Sequence, residues 1–151
     1  MAEKFFYFDI HYAIERHDWI IENSGGFPGS NNPTLLESAL EHIQNDIYYP
    51  EIQDKLTHLV FAINKFHAFA DGNKRSSIAL GAYFLELNGY NYVVKKFGLE
   101  MENIAVWVAE GRISKEFLCE LVESLVFEED FSEALKFKLA CAVMYDSDIN
   151  A

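Results

Sequence analysis

The chain has 151 residues, half of them hydrophobic and 15% aromatic, which suits one domain with its own core and argues against disorder. Its 24 acidic and 12 basic residues leave a formal charge of −12, opposite to the basic face with which nucleic-acid binders displace counterions. No apolar run of about 18 residues occurs and the opening MAEKFFYFDI lacks a signal-peptide pattern, so we expect a soluble cytoplasmic protein with no membrane partner.

Apolar residues recur mostly at helical spacing. A first helix is expected from about Asp9 to Asn23, with Phe8, Tyr12, Trp19 and Ile20 outlining its apolar side. Ser24 to Pro33 then form the most turn-rich stretch, read as a surface loop or small hairpin. A second helix starts at about Thr34, capped by that residue and boxed by Glu37, and is broken by Tyr48-Tyr49-Pro50. A third covers about Ile52 to Phe66. A fourth, from Asn73 to Leu87, carries almost no charge after Arg75 until Glu86 and is expected to be the buried central helix, ended by Asn88-Gly89. Tyr90 to Val94 reads as a short strand or extended link. Helices follow from about Leu99 to Ala109, from a Ser114 cap to Phe127, and from Phe131 to Tyr145, with a frayed tail from Asp146. The pattern is all-α, one domain over residues 1–151. Cys119 and Cys141 are expected as buried thiols in a reducing compartment, and Trp19 and Trp107 as core residues. His11, His17, His42 and His58 show no metal-type pairing.

The chemistry is concentrated in His67-Ala68-Phe69-Ala70-Asp71-Gly72-Asn73-Lys74-Arg75. Gly72 permits a sharp turn into the fourth helix, whose free N–H groups and dipole make an anion site. Lys74 and Arg75 add positive charge, and arginine can grip phosphate oxygens at two points. Asp71 beside bound phosphates would be repelled unless a cation lies between them, a role suited to Mg2+. A histidine such as His67 can accept a hydroxyl proton near neutral pH. Together these are the parts of phosphoryl or nucleotidyl transfer. Phe69 is expected in the core.

This nine-residue run resembles the signature of the Fic/Doc family, H-x-F-x-[DE]-G-N-[GK]-R, at every fixed position. Leu35 to Leu40, Tyr48-Tyr49 and Val108 to Ser114 are similar to its death-on-curing (Doc) branch, so the resemblance spans about Asp9 to Leu125. It implies a helical bundle around a buried central helix with a core of about residues 9–127, so that the helix read from apolar spacing over about 131–145 is a C-terminal extra beyond the resemblance. It implies that His67 is the general base and Asp71 the Mg2+ ligand, with Gly72, Asn73, Lys74 and Arg75 around the phosphates of ATP. It also implies a β-hairpin flap, with Gly25, Gly26, Phe27, Pro28, Gly29 and Ser30 holding an extended target segment. Adenylyltransferases of the family have glycine where Lys74 stands and a second arginine where Ile78 stands. The Doc branch shares Asn-Lys-Arg and transfers the γ-phosphate of ATP to elongation factor Tu, so the resemblance implies a toxin kinase acting on a translation factor. The alternatives are AMP transfer to a Ser, Thr or Tyr hydroxyl, and a non-catalytic relative that only binds nucleotide or partner. An antitoxin is the implied binding partner. The family's inhibitory pattern [ST]-x-x-x-E-[GN] is met only in part by Ser124 to Glu128, because Glu129 follows, and self-inhibition there is not expected.

Overall fold

The computed structural model describes residues 4–149. Seven helices follow one another among them: α1 (Ile10–Ser24), α2 (Pro33–His42), α3 (Ile52–Lys65), α4 (Asn73–Leu87), α5 (Val94–Ala109), α6 (Lys115–Phe127) and α7 (Glu133–Ile149). α3 and α4 lie side by side at the centre, α5 and α6 pack against α3, and α1 lies along α4. Leu56, Leu59, Val60 and Ile63 of α3 meet Leu80, Phe84 and Leu85 of α4 and Phe97 and Met101 of α5 in one buried cluster. Gly81 is required at the α4–α5 crossing, since a Cβ there would stand 2.6 Å from the Phe97 ring.

The ends of the helices show why they start where they do. Asp9 caps α1 by accepting from the Tyr12 N–H, and Ser114 caps α6 through Phe117. For α2 the cap is Asn32 and not Thr34, because Pro33 occupies the first helical position, where its missing N–H is harmless. A reciprocal capping box does form, but on α3, between Glu51 and Asp54. Residues 90–94 hold no strand. After Gly89 at φ +86°, Asn91–Val93 make one 3₁₀ turn that runs directly into α5, five residues before Leu99, which is exposed. α7 begins at Glu133 under a Ser132 cap and continues through Asp146 to Ile149; Asn150 and Ala151 of the expected tail lie outside the described residues.

Burial corrects three expectations. Cys141 is exposed on α7 and Cys119 only half-buried, so neither is a core thiol. Trp19 is 53% exposed, with the Arg16 guanidinium over its ring at 4.7 Å. Lys55 is instead wholly buried, its ammonium donating to the Ile43 carbonyl and to Asp46 and lying 4.9 Å from the Phe5 ring centre. A buried ammonium is tolerable only when paired and bonded in this way. It fastens the N-terminal segment and the α2–α3 turn to the core.

Candidate functional site

The motif loop leaves α3 at Phe66 and enters α4 at Asn73. Two devices hold it. Phe69 is fully buried, as expected of the aromatic position. The Asn73 side chain bonds both backbone groups of Phe69, accepting from its N–H at 2.9 Å and donating to its carbonyl at 3.0 Å. Gly72 then turns the chain at φ +75°, a left-handed conformation that glycine adopts without a Cβ penalty. The first bond of α4 runs from Ser76 N to Gly72 O, leaving the amides of Asn73, Lys74 and Arg75 without an intrahelical acceptor. Asp71, Gly72, Asn73, Lys74, Arg75 and Glu102 line an open concavity of about 500 Å³ at this helix end. The loop thus gathers these residues around one concavity, with Glu102 of α5 as a wall that sequence reasoning did not supply.

His67 stands apart from that wall. It is exposed, at φ +48°, and is the one non-glycine residue with positive φ among those described. Lys74 reaches across to α5, its ammonium 3.0 Å from Glu102. Arg75 turns the other way. Its Nη1 donates to Ser24 Oγ at 2.5 Å and to the Gly25 carbonyl at 2.9 Å.

The flap segment forms no hairpin. Residues 25–32 are exposed, and the segment pairs with the motif loop in place of itself, through a single antiparallel bridge between Ser30 and Phe69. Ala70 N donates to Gly29 O, and Asn31 and Asn32 donate to Ala68 O. Gly25, Gly26 and Gly29 at positive φ, with Pro28 and Pro33 between and after them, leave no stretch long enough to form two strands. The Phe27 N–H donates to Asp71 Oδ2 at 3.1 Å. That bond, a second from Gly72 N and the nearby charges of Arg75 and His17 hold the Asp71 carboxyl below the usual carboxylate range.

A residue with no expected role completes the frame. His17 of α1 is 1% exposed, its ring lies flat on Phe69 with centroids 3.9 Å apart, and its Nε2 donates to the Asp71 carbonyl at 2.7 Å. Its legible signal was position: Ala13, His17, Ile20 and Ile21 form the buried stripe of α1. A polar side chain on that stripe needs a partner inside. Among the described residues no three His, Cys, Asp or Glu side chains converge as a ready metal cage, and no helix is long and apolar enough to cross a membrane.

The model of the Fic/DOC family matches residues 7–85, which contain His17, the flap segment and the whole motif loop. The chain is similar to a protein of Escherichia phage P1 named "Protein kinase doc", 33% identical over 105 residues that make up 67% of this chain and 80% of the relative. It is also similar to "Toxin Doc" of Mycolicibacterium smegmatis (strain ATCC 700084 / mc(2)155), 32% identical over 83 residues, 50% of this chain and 64% of that one. A full signature on one loop, at the start of a central helix and inside the matched span, places this chain in the Fic/DOC family.

Proposed function

We propose that the chain is a Doc-like toxin that transfers the γ-phosphate of ATP to a hydroxyl of a protein. The observation that carries this reading is the position of Lys74. Its side chain spans the concavity at the α4 N-terminus to Glu102, where a glycine would leave the floor open. A phosphate chain entering there meets an ammonium as well as the helix amides. Ile78, one turn further along α4, offers no second guanidinium to clamp the pose that AMP transfer uses. The name of the phage relative, a protein kinase, supports the same choice.

In this mechanism His67 takes the proton of the target hydroxyl. Its exposure leaves it open to an incoming protein. The oxygen attacks the γ-phosphorus, the bond to the β–γ bridging oxygen breaks, and ADP leaves. The α4 amides, Lys74 and Arg75 stabilise the charge on the transferred group and the leaving phosphate. The Asn73 side chain is already bonded to Phe69, so its part is to hold the loop and to offer its backbone N–H. Asp71 fits a magnesium ion held by one carboxylate and by phosphate oxygens, as that ion commonly is. Bound there, magnesium would neutralise phosphate charge. The exposed segment from Gly25 to Ser30 offers backbone for an extended target strand. A toxin of this kind has an antitoxin as its partner.

The test is label transfer from ATP in a bacterial lysate, with His67→Ala as control. The γ-label on one protein band, near elongation factor Tu in size and absent with the variant, is the expected outcome. Transfer of the α-label alone would replace this reading with AMP transfer.

A further inference from the structure

The wall of the concavity that comes from outside the signature is Glu102. Met101, Ile104 and Ala105 turn α5 into the core, and Glu102, between them in sequence, faces the start of α4. Lys74 and Glu102 are 40% and 56% exposed, so water reaches the pair and its formation is readily reversible. The walls then carry two carboxylates, Asp71 and Glu102, against two cations, Lys74 and Arg75. Arg75 is bonded to the flap segment and Lys74 to α5, so neither cation is idle.

We propose that Glu102 is a specificity-determining residue of this site. It competes with the phosphate chain for the Lys74 ammonium, so a nucleotide binds only by exchanging one ion pair for another. This rests on the nucleotide reading given above. The exchange weighs on ligands by their phosphate charge. A triphosphate must draw Lys74 from Glu102 to gain its contact, and a nucleoside without phosphate is indifferent to it. Glu102 thereby lowers affinity for every phosphate chain that uses the lysine, and weighs most on those with too little charge to win it.

The test is calorimetric binding of a non-hydrolysable ATP analogue with magnesium, and of adenosine, to the full chain and to Glu102→Gln. Glutamine keeps the helix-forming character of the position. The analogue should bind about three- to fivefold more tightly to the variant, the range of an exposed ion pair. Adenosine should be unaffected, and added salt should shrink the difference. In a Lys74→Met background the gain from Glu102→Gln should vanish. Equal affinity of wild type and variant for the analogue would overturn the proposal and leave the nucleotide reading standing. A gain that persists without Lys74 would also overturn it. A wild-type chain that binds no nucleotide at all would overturn both.

Discussion

His17 Nε2 lies 2.7 Å from the carbonyl oxygen of Asp71, 54 positions away in sequence, while its ring lies flat on Phe69. One buried side chain of α1 thus sets both the backbone before the Gly72 turn and the aromatic anchor of the motif loop. His17→Phe keeps a ring on Phe69 and removes the donor, orphaning the Asp71 carbonyl. Loss of a buried hydrogen bond of this kind costs about 1–3 kcal/mol. We expect that loss in urea unfolding, and a drop in kcat for transfer larger than any change in KM for ATP. An unchanged kcat would limit His17 to a structural part.

Gly26 and Gly29 separate contact from conformation. Both sit at positive φ, +124° and +104°. A Cβ on Gly26 would meet Asp71 Oδ2 at 2.7 Å, Ile21 at 2.9 Å and Arg75 Nη2 at 3.1 Å; on Gly29 it would meet nothing within 4 Å. Gly29→Ala should show backbone strain alone, about 1–2 kcal/mol. Gly26→Ala should lose more stability and, unlike Gly29→Ala, most of the transfer activity, because the displaced groups are the proposed metal and phosphate ligands. Melting temperatures read beside kcat/KM would check the contrast.

His67 is held at φ +48°, a left-handed conformation that its Cβ makes unfavourable and branching at Cβ makes worse. His67→Gly should therefore leave stability equal or higher, and His67→Val should lower it by about 1–2 kcal/mol. Both should abolish transfer. Strain tolerated at an exposed residue is common at functional positions. Denaturation midpoints for the two variants decide the point, and a His67→Gly chain less stable than wild type would contradict it.

His58 makes stability depend on pH. Burial first, then the Lys115 ammonium and His42, lower its pKa to about 4. Lys115 Nζ stands 2.8 Å from its Nδ1 and the Tyr49 hydroxyl 3.1 Å away, both suited to a neutral ring. An unfolded histidine takes a proton near 6.5, so between that value and about 4 the unfolded chain binds more protons than the folded one. The contribution is present in full above the unfolded value and declines as pH falls towards about 4. The full shift would be worth about 3 kcal/mol, and solvent screening at this half-buried site reduces it to on the order of 2 kcal/mol. Urea unfolding at neutral pH and near 4.5 should show the decline, and His58→Gln should flatten it.

The helices were legible because their apolar spacing is local. The same holds for the signature loop, whose turn and anchor residues are contiguous from His67 to Arg75. Several boundaries were misread for local reasons: Pro33 moves the α2 cap to Asn32, α2 ends at His42 and not at Tyr48 because Asn45 Oδ1 turns the chain by accepting from the Ile47 and Tyr48 amides, and the lysines around Phe97 hide the early turns of α5 behind an exposed Leu99. By itself the sequence determined an all-helical fold, the place of Gly72 at the head of α4 and the signature residues that surround that turn. Only the tertiary structure decided what surrounds those residues. Helices distant in sequence brought in His17 and Glu102, and the glycine-rich segment spent its bonds on Asp71, Arg75 and Ala68 to Ala70 in place of a hairpin. The physical reason is that a buried carbonyl, a lysine ammonium or a strand edge needs a partner whose distance along the chain no spacing rule encodes.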